Sequence, residues 1–135
     1  AKFMGGDGIC STELVKLGGD AIANDQVYCA EAGGVEAGSK YEKAQTEFKA
    51  KFKAKFNMDV QIYAPYVYDA TMAMVSAMQK ANSTDPKKYL PSLAAIKYEG
   101  VTGTISFDPK GDIKNGALTL YTYKGGKRDM MRVVR

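Results

Sequence analysis

The chain has 135 residues, 45% hydrophobic and 25% charged, a size that suits one ordinary domain or a piece of a larger protein and a composition that argues against disorder. Lys and Arg outnumber Asp and Glu by 19 to 15, and the resulting +4 balance is mild for a nucleic-acid binder. Histidine is absent, which removes His-based acid–base catalysis, the Ser-His-Asp and Cys-His nucleophile systems and most zinc sites. No apolar run approaches the roughly 20 residues of a transmembrane helix.

The first residues, Ala1-Lys2-Phe3-Met4, read as a strand already under way rather than as a signal peptide, the pattern expected of a truncated chain. That strand runs into Gly5-Gly6-Asp7-Gly8, a glycine-rich turn holding one carboxylate, and Ser11-Thr12-Glu13 opens a helix. Leu14, Val15, Leu17, Ala21 and Ile22 give it a short apolar stripe, and Val27-Tyr28-Cys29-Ala30 is β-prone. Strand, crossover helix and strand predict a parallel βαβ unit. Cys10 and Cys29 flank that helix, and the sequence leaves two readings open, a disulfide or two core cysteines. Residues 31–38, rich in glycine and small side chains, form the best hinge candidate.

Ser39 then caps a predicted helix whose Tyr41, Ala44, Phe48, Phe52 and Phe56 recur at helical spacing, with lysines on the other face. That pattern describes an amphipathic surface helix. Lys49, Lys51, Lys53 and Lys55, with the C-terminal Lys127, Arg128, Arg132 and Arg135, carry the alternative of a basic nucleic-acid-binding module, against which Glu42, Glu47 and Asp59 dilute the charge. A second helix enters through Tyr63-Ala64-Pro65 and continues through Tyr68, Met72, Val75 and Met78; Pro65 belongs in its first turn, which sets Tyr63 on its N-terminal lip. Asp85-Pro86 starts a third helix. Beyond Gly100 the period becomes two and predicts strands over residues 101–107, 117–123 and 130–134, the last two joined across Gly125-Gly126.

Asp7 is the residue on which chemistry turns. As a turn aspartate it satisfies nearby backbone N–H groups; as a functional group it projects from the carboxyl end of a parallel strand, where open α/β sheets place ligands. Gly6-Asp7-Gly8 is a poor dinucleotide motif, because Ser11 occupies the third glycine position and an acid there repels a pyrophosphate. Asp108 and Asp112 lack the ligand alternation of a calcium loop. No metal site or cofactor is expected.

Three segments, Phe3-Met4-Gly5-Gly6-Asp7-Gly8, Tyr63-Ala64-Pro65-Tyr66-Val67-Tyr68-Asp69-Ala70 and the Val101 to Asp112 stretch with its Phe107-Asp108-Pro109-Lys110-Gly111-Asp112 turn, occur in this order and spacing. Together they resemble the C-terminal part of the branched-chain amino-acid-binding proteins, the periplasmic Leu/Ile/Val-binding components of ABC transporters, over essentially the whole chain. The resemblance implies an α/β fragment of a two-lobed periplasmic-binding-protein fold. Residues 1–30 would belong to the second lobe, 31–37 to a hinge crossover, 38–112 to the helical part of the first lobe, and 113–135 to C-terminal strands returning to the second.

It further implies a non-enzymatic receptor, located in the periplasm, that closes on Leu, Ile or Val and docks on a membrane permease. Asp7 would pair with the ligand's α-ammonium, Gly8 would let the backbone approach, and Tyr63 would wall the aliphatic pocket. Relatives of the same fold that sense amides or other small solutes are the second reading. The family's N-terminal portion, with its groups for the ligand's α-carboxylate, has no counterpart here. The apolar faces of the first two long helices are therefore expected to be covered by that remaining polypeptide or by a second copy of this chain, and the 135 residues alone to bind branched-chain amino acids weakly or not at all.

Overall fold

A computed structural model describes residues 1–22 and 24–135. They form two compact units, one made of Ala1–Gly34 with Asn115–Arg135 and the other of Val35–Lys114.

In the first unit, strand β1 (Phe3–Gly5) leads through a short 3-10 turn, Asp7–Ile9, to helix α1 (Glu13–Gly18), and strand β2 (Asn24–Ala32) follows. β1 and β2 pair in parallel, Phe3 against Val27 and Gly5 against Cys29. The chain re-enters this unit as β5 (Leu118–Lys124) and β6 (Lys127–Val134), giving the sheet order β1-β2-β5-β6. β5 and β6 form a two-residue hairpin in which Lys124 opposes Lys127. Its turn residues, Gly125 and Gly126, have φ of 52° and 73°, the left-handed pair that a tight hairpin demands and that glycine adopts without strain.

The core of this unit is Cys10, Ile22, Val27, Cys29 and Tyr123, with Ile9, Leu14, Val15 and Tyr121 packed against it. Cys10 and Cys29 are joined in a disulfide with Cα atoms 5.6 Å apart across a 19-residue separation. Closing a loop of that size stabilises the fold by about 3 kcal/mol on the chain-entropy model. β2 is longer than its apolar run suggests: Glu31 and Ala32 still pair with Thr119 and Leu118, so strand structure reaches into the small-residue segment.

The second unit carries α2 (Lys40–Phe56), α3 (Ala64–Ala81), α4 (Pro86–Ala94) and a two-stranded ribbon of β3 (Tyr98–Glu99) and β4 (Thr104–Ile105). α2 and α3 each end on an asparagine in the left-handed region, Asn57 and Asn82, a common way to stop a helix. Ser39 does occupy the N-cap of α2 but makes no capping bond; the Glu42 carboxylate instead reaches back to the Gly38 N–H at 2.6 Å. α4 is capped by Asp85, whose carboxylate accepts from the Lys87 N–H at 3.0 Å, with Pro86 at its first position. Phe48 of α2 meets Tyr68 of α3 with ring centroids 5.2 Å apart. Val67, Met74 and Val75 of α3 stay exposed, as do Phe56 and Met58 at the end of α2.

The strand expected over residues 101–107 shrinks to Thr104–Ile105, and an unforeseen strand, Tyr98–Glu99, pairs with it. The reason lies in where the backbone N–H groups go. Val101 and Thr102 donate theirs to the Asp69 carboxylate at 2.9 and 2.8 Å, and Gly100 donates to the Gly103 carbonyl at 2.9 Å. Residues 100–103 are thus the turn of a hairpin, and the N–H groups of Val101 and Thr102 go to a side chain instead of a ladder.

Glu99 ties this ribbon to α2. Its carboxylate accepts from Lys40 Nζ at 2.8 Å, Tyr41 Oη at 2.9 Å and Thr104 Oγ1 at 2.8 Å. The Lys40 bond, then those from Thr104 and Tyr41, hold its pKa down at about 2, against an ordinary value of 4.5. A depressed carboxylate stabilises the fold above its unfolded value and loses that contribution as pH falls through its folded one. Acid titration of the thermal midpoint should therefore show a loss between about pH 4.5 and 2 that Glu99→Gln reduces. An identical acid limb in both proteins would remove Glu99 from that account.

Candidate functional site

Asp7 follows β1 after one residue, Gly6, and opens the 3-10 turn at the carboxyl end of a strand with a parallel neighbour. It is exposed, as is Gly8. The turn is fixed from within by the Cys10 N–H, which donates to the Asp7 carbonyl at 2.9 Å. Three further ties hold its far end. The Cys10–Cys29 disulfide joins it to β2, Tyr123 Oη donates to the Ile9 carbonyl at 2.7 Å, and Arg128 donates to the Cys10 carbonyl at 2.7 Å.

The glycines of this turn differ in what they do. A Cβ on Gly5 would collide with the Ile9 side chain, so that glycine is needed for packing. Gly6 and Gly8 would meet nothing within 4 Å, and neither has a positive φ. No contact within the described residues therefore calls for glycine beside Asp7.

Tyr63 lies in the second unit, at the N-cap of α3, where its carbonyl accepts the Val67 N–H at 3.0 Å. Its side chain is half exposed at 51%. Asp7 and Gly8 are thus neighbours in one unit, while Tyr63 belongs to the other. An open groove of about 700 Å³ in the second unit, between α4 and the 107–114 turn, is lined by Leu90, Leu93, Phe107, Pro109, Lys110 and Lys114 and contains none of the three. In that turn Asp108 accepts from the Lys110 and Asp112 N–H groups, the work of a turn residue. Among the described residues no three acidic or sulfur side chains gather as a metal site, and no helix is long and apolar enough to cross a membrane.

Two residues central to the geometry carry no local sequence signal. Asp69, fully buried in α3, accepts from two backbone N–H groups and from Thr102 Oγ1 at 2.6 Å. Arg128, placed by the sequence in a basic tail, is turned inward instead. It pairs with Glu31 and lies 4.3 Å from the Tyr121 ring centroid.

The acid-bearing glycine turn lies at the carboxyl end of a parallel strand pair, the place where open α/β sheets put their ligands. The sequence pattern of the family described as periplasmic binding protein matches residues 2–128, and the chain belongs to that family. It is 32% identical over 124 residues to the leucine-, isoleucine-, valine-, threonine-, and alanine-binding protein of Pseudomonas aeruginosa, covering 91% of this chain and 31% of that protein. It is 30% identical over 127 residues to a Leu/Ile/Val-binding protein homolog of Brucella abortus, covering 93% and 32%. The chain spans about a third of the length of these curated relatives.

Among solved structures it is similar to the leucine binding protein LivK of Thermotoga maritima, with a TM-score of 0.75 and 23% identity over 98% of this chain and 37% of that one. The branched-chain amino acid transporter substrate binding protein LivJ of Streptococcus pneumoniae, solved with isoleucine, gives a TM-score of 0.74 at 23% identity, with coverage of 98% and 37%. The fold is therefore a part of the periplasmic-binding-protein fold.

Proposed function

We propose that this chain is the C-terminal part of the substrate-binding component of an ABC transporter for branched-chain amino acids. It would work in the periplasm by closing two lobes over the ligand and presenting the closed form to a membrane permease. In this reading the first unit is a portion of one lobe and the second a portion of the other, with the crossings near residues 31–37 and 113. No bond is made or broken; ligand shifts an open–closed equilibrium by binding the closed form better.

The observation that carries this reading is the likeness, along nine-tenths of the chain, to relatives named for binding leucine, isoleucine and valine. The local geometry supports it. Asp7 stands where a cationic ligand group can meet it, and the empty space beside Gly8 suits close approach of something outside this chain. Tyr63 offers an apolar ring with a polar tip, fit to wall an aliphatic side chain.

Calorimetry with leucine, isoleucine, valine and a panel of amides tests it, on the intact polypeptide carrying this segment and on the 135 residues alone. The branched-chain amino acids should bind the intact polypeptide in the micromolar range or tighter, and the isolated chain weakly or not at all. Preference for amides would move the protein to the solute-sensing branch. Micromolar leucine binding by the 135 residues would refute the half-site.

A further inference from the structure

We propose that Arg128 is a positioning residue for Asp7, holding the acid's turn in place from β6 through the Cys10 carbonyl and Glu31; the inference rests on the ammonium-binding role proposed for Asp7. One guanidinium nitrogen of Arg128 donates to the Cys10 carbonyl at 2.7 Å and also pairs with the Glu31 carboxylate of β2. The guanidinium lies over the Tyr121 ring. The side chains of Arg128 and Glu31 are only 25% and 13% exposed, which is unusual for an ion pair with no structural duty.

The same short segment is held at two successive carbonyls, Ile9 and Cys10. Tyr123 Oη donates to Ile9 at 2.7 Å and approaches the Ser11 carbonyl at 3.2 Å, and Arg128 takes the Cys10 carbonyl between them. Burial raises the Tyr123 hydroxyl above its ordinary value, with Arg128 opposing and Glu31 adding to the rise, so it stays a proton donor. Cys10 in turn donates its N–H to the Asp7 carbonyl. From Arg128 to the backbone of Asp7 there is one residue and two hydrogen bonds. Two adjacent carbonyls of one loop are held by β5 and β6, with a disulfide beside them. They suit a carboxylate whose position must be set before the ligand arrives.

The test compares leucine affinity well below the melting midpoint in the intact polypeptide with amide hydrogen exchange at Ile9 and Cys10. The double variant Glu31→Gln/Arg128→Met removes the pair without leaving a partly buried carboxylate unpaired. It should weaken leucine binding about tenfold, the scale of one charge-assisted hydrogen bond, and speed exchange at both amides. Arg128→Lys, which keeps a cation opposite Glu31, should restore most of the affinity. Tyr123→Phe, a smaller change to the same loop, should act in the same direction and serves if the double variant does not fold. A lowered melting midpoint with unchanged affinity, while Asp7→Ala weakens binding about 100-fold, would overturn the positioning role and leave the ammonium site standing. Unchanged affinity in Asp7→Ala itself would remove both.

Discussion

Asp69→Ala should lower the stability of the second unit by about 3 kcal/mol or more, the largest stability effect expected of any single substitution in this chain. The carboxylate is fully buried, and both oxygens are occupied: one by the Val101 N–H, the other by the Thr102 N–H and hydroxyl. Removing it leaves three donors facing a void. Unsatisfied buried polar groups cost about 1–3 kcal/mol each, and water entering the gap would recover part of that. A unit of this size loses roughly 4–8 °C per kcal/mol, so the melting midpoint, followed by circular dichroism, should fall by more than about 12 °C.

Asp69→Asn should cost less but still clearly destabilise, because its amide turns one donor toward another donor. Gly100→Ala provides an independent check, since a Cβ there would overlap the Asp69 carboxylate. If Asp69→Ala melts with the parent protein, the clamp between α3 and the β3–β4 turn does not hold this unit together.

Asp69 also marks where the sequence stopped being readable. The helices were legible because their apolar residues recur at helical spacing and their ends carry Asn, Pro and Gly. The β5–β6 hairpin was legible from two glycines between alternating runs. Asp69 sits inside a helical run that looks complete without it, and its partners lie 32 and 33 residues away. No local pattern announces such a pairing, and the 101–107 strand was overdrawn for the same reason. Arg128 and Glu31 repeat the lesson at a separation of 97 residues. One looked like tail charge and the other like the start of a hinge, until antiparallel pairing of β5 with both β2 and β6 brought them together. Asp7, Gly8 and Tyr63 are proposed by another route, because their segments carry a family resemblance that periodicity does not.

The resemblance makes its strongest demand at Asp7. Replacing it by alanine in the intact polypeptide should weaken leucine binding by about 100-fold, since a charge-assisted hydrogen bond contributes about 1.5–3 kcal/mol and leaving an enclosed ammonium unpaired adds to the loss. Asp7 is exposed in its turn, so the same substitution should move the melting midpoint by no more than about 2–4 °C, far less than Asp69→Ala. That separation of binding from stability distinguishes a ligand contact from a turn aspartate, whose loss would show in the midpoint and not in the affinity.

The amine can be removed from either side. A leucine analogue without its α-amino group should bind the parent weakly, and Asp7→Ala should weaken it little further, because the two changes delete one interaction. Gly8→Ala completes the argument: nothing within this chain touches the added methyl, so any fall in leucine affinity reports the ligand's own backbone approaching that face. Additive losses from the analogue and from Asp7→Ala would mean that the acid acts on some other part of the ligand.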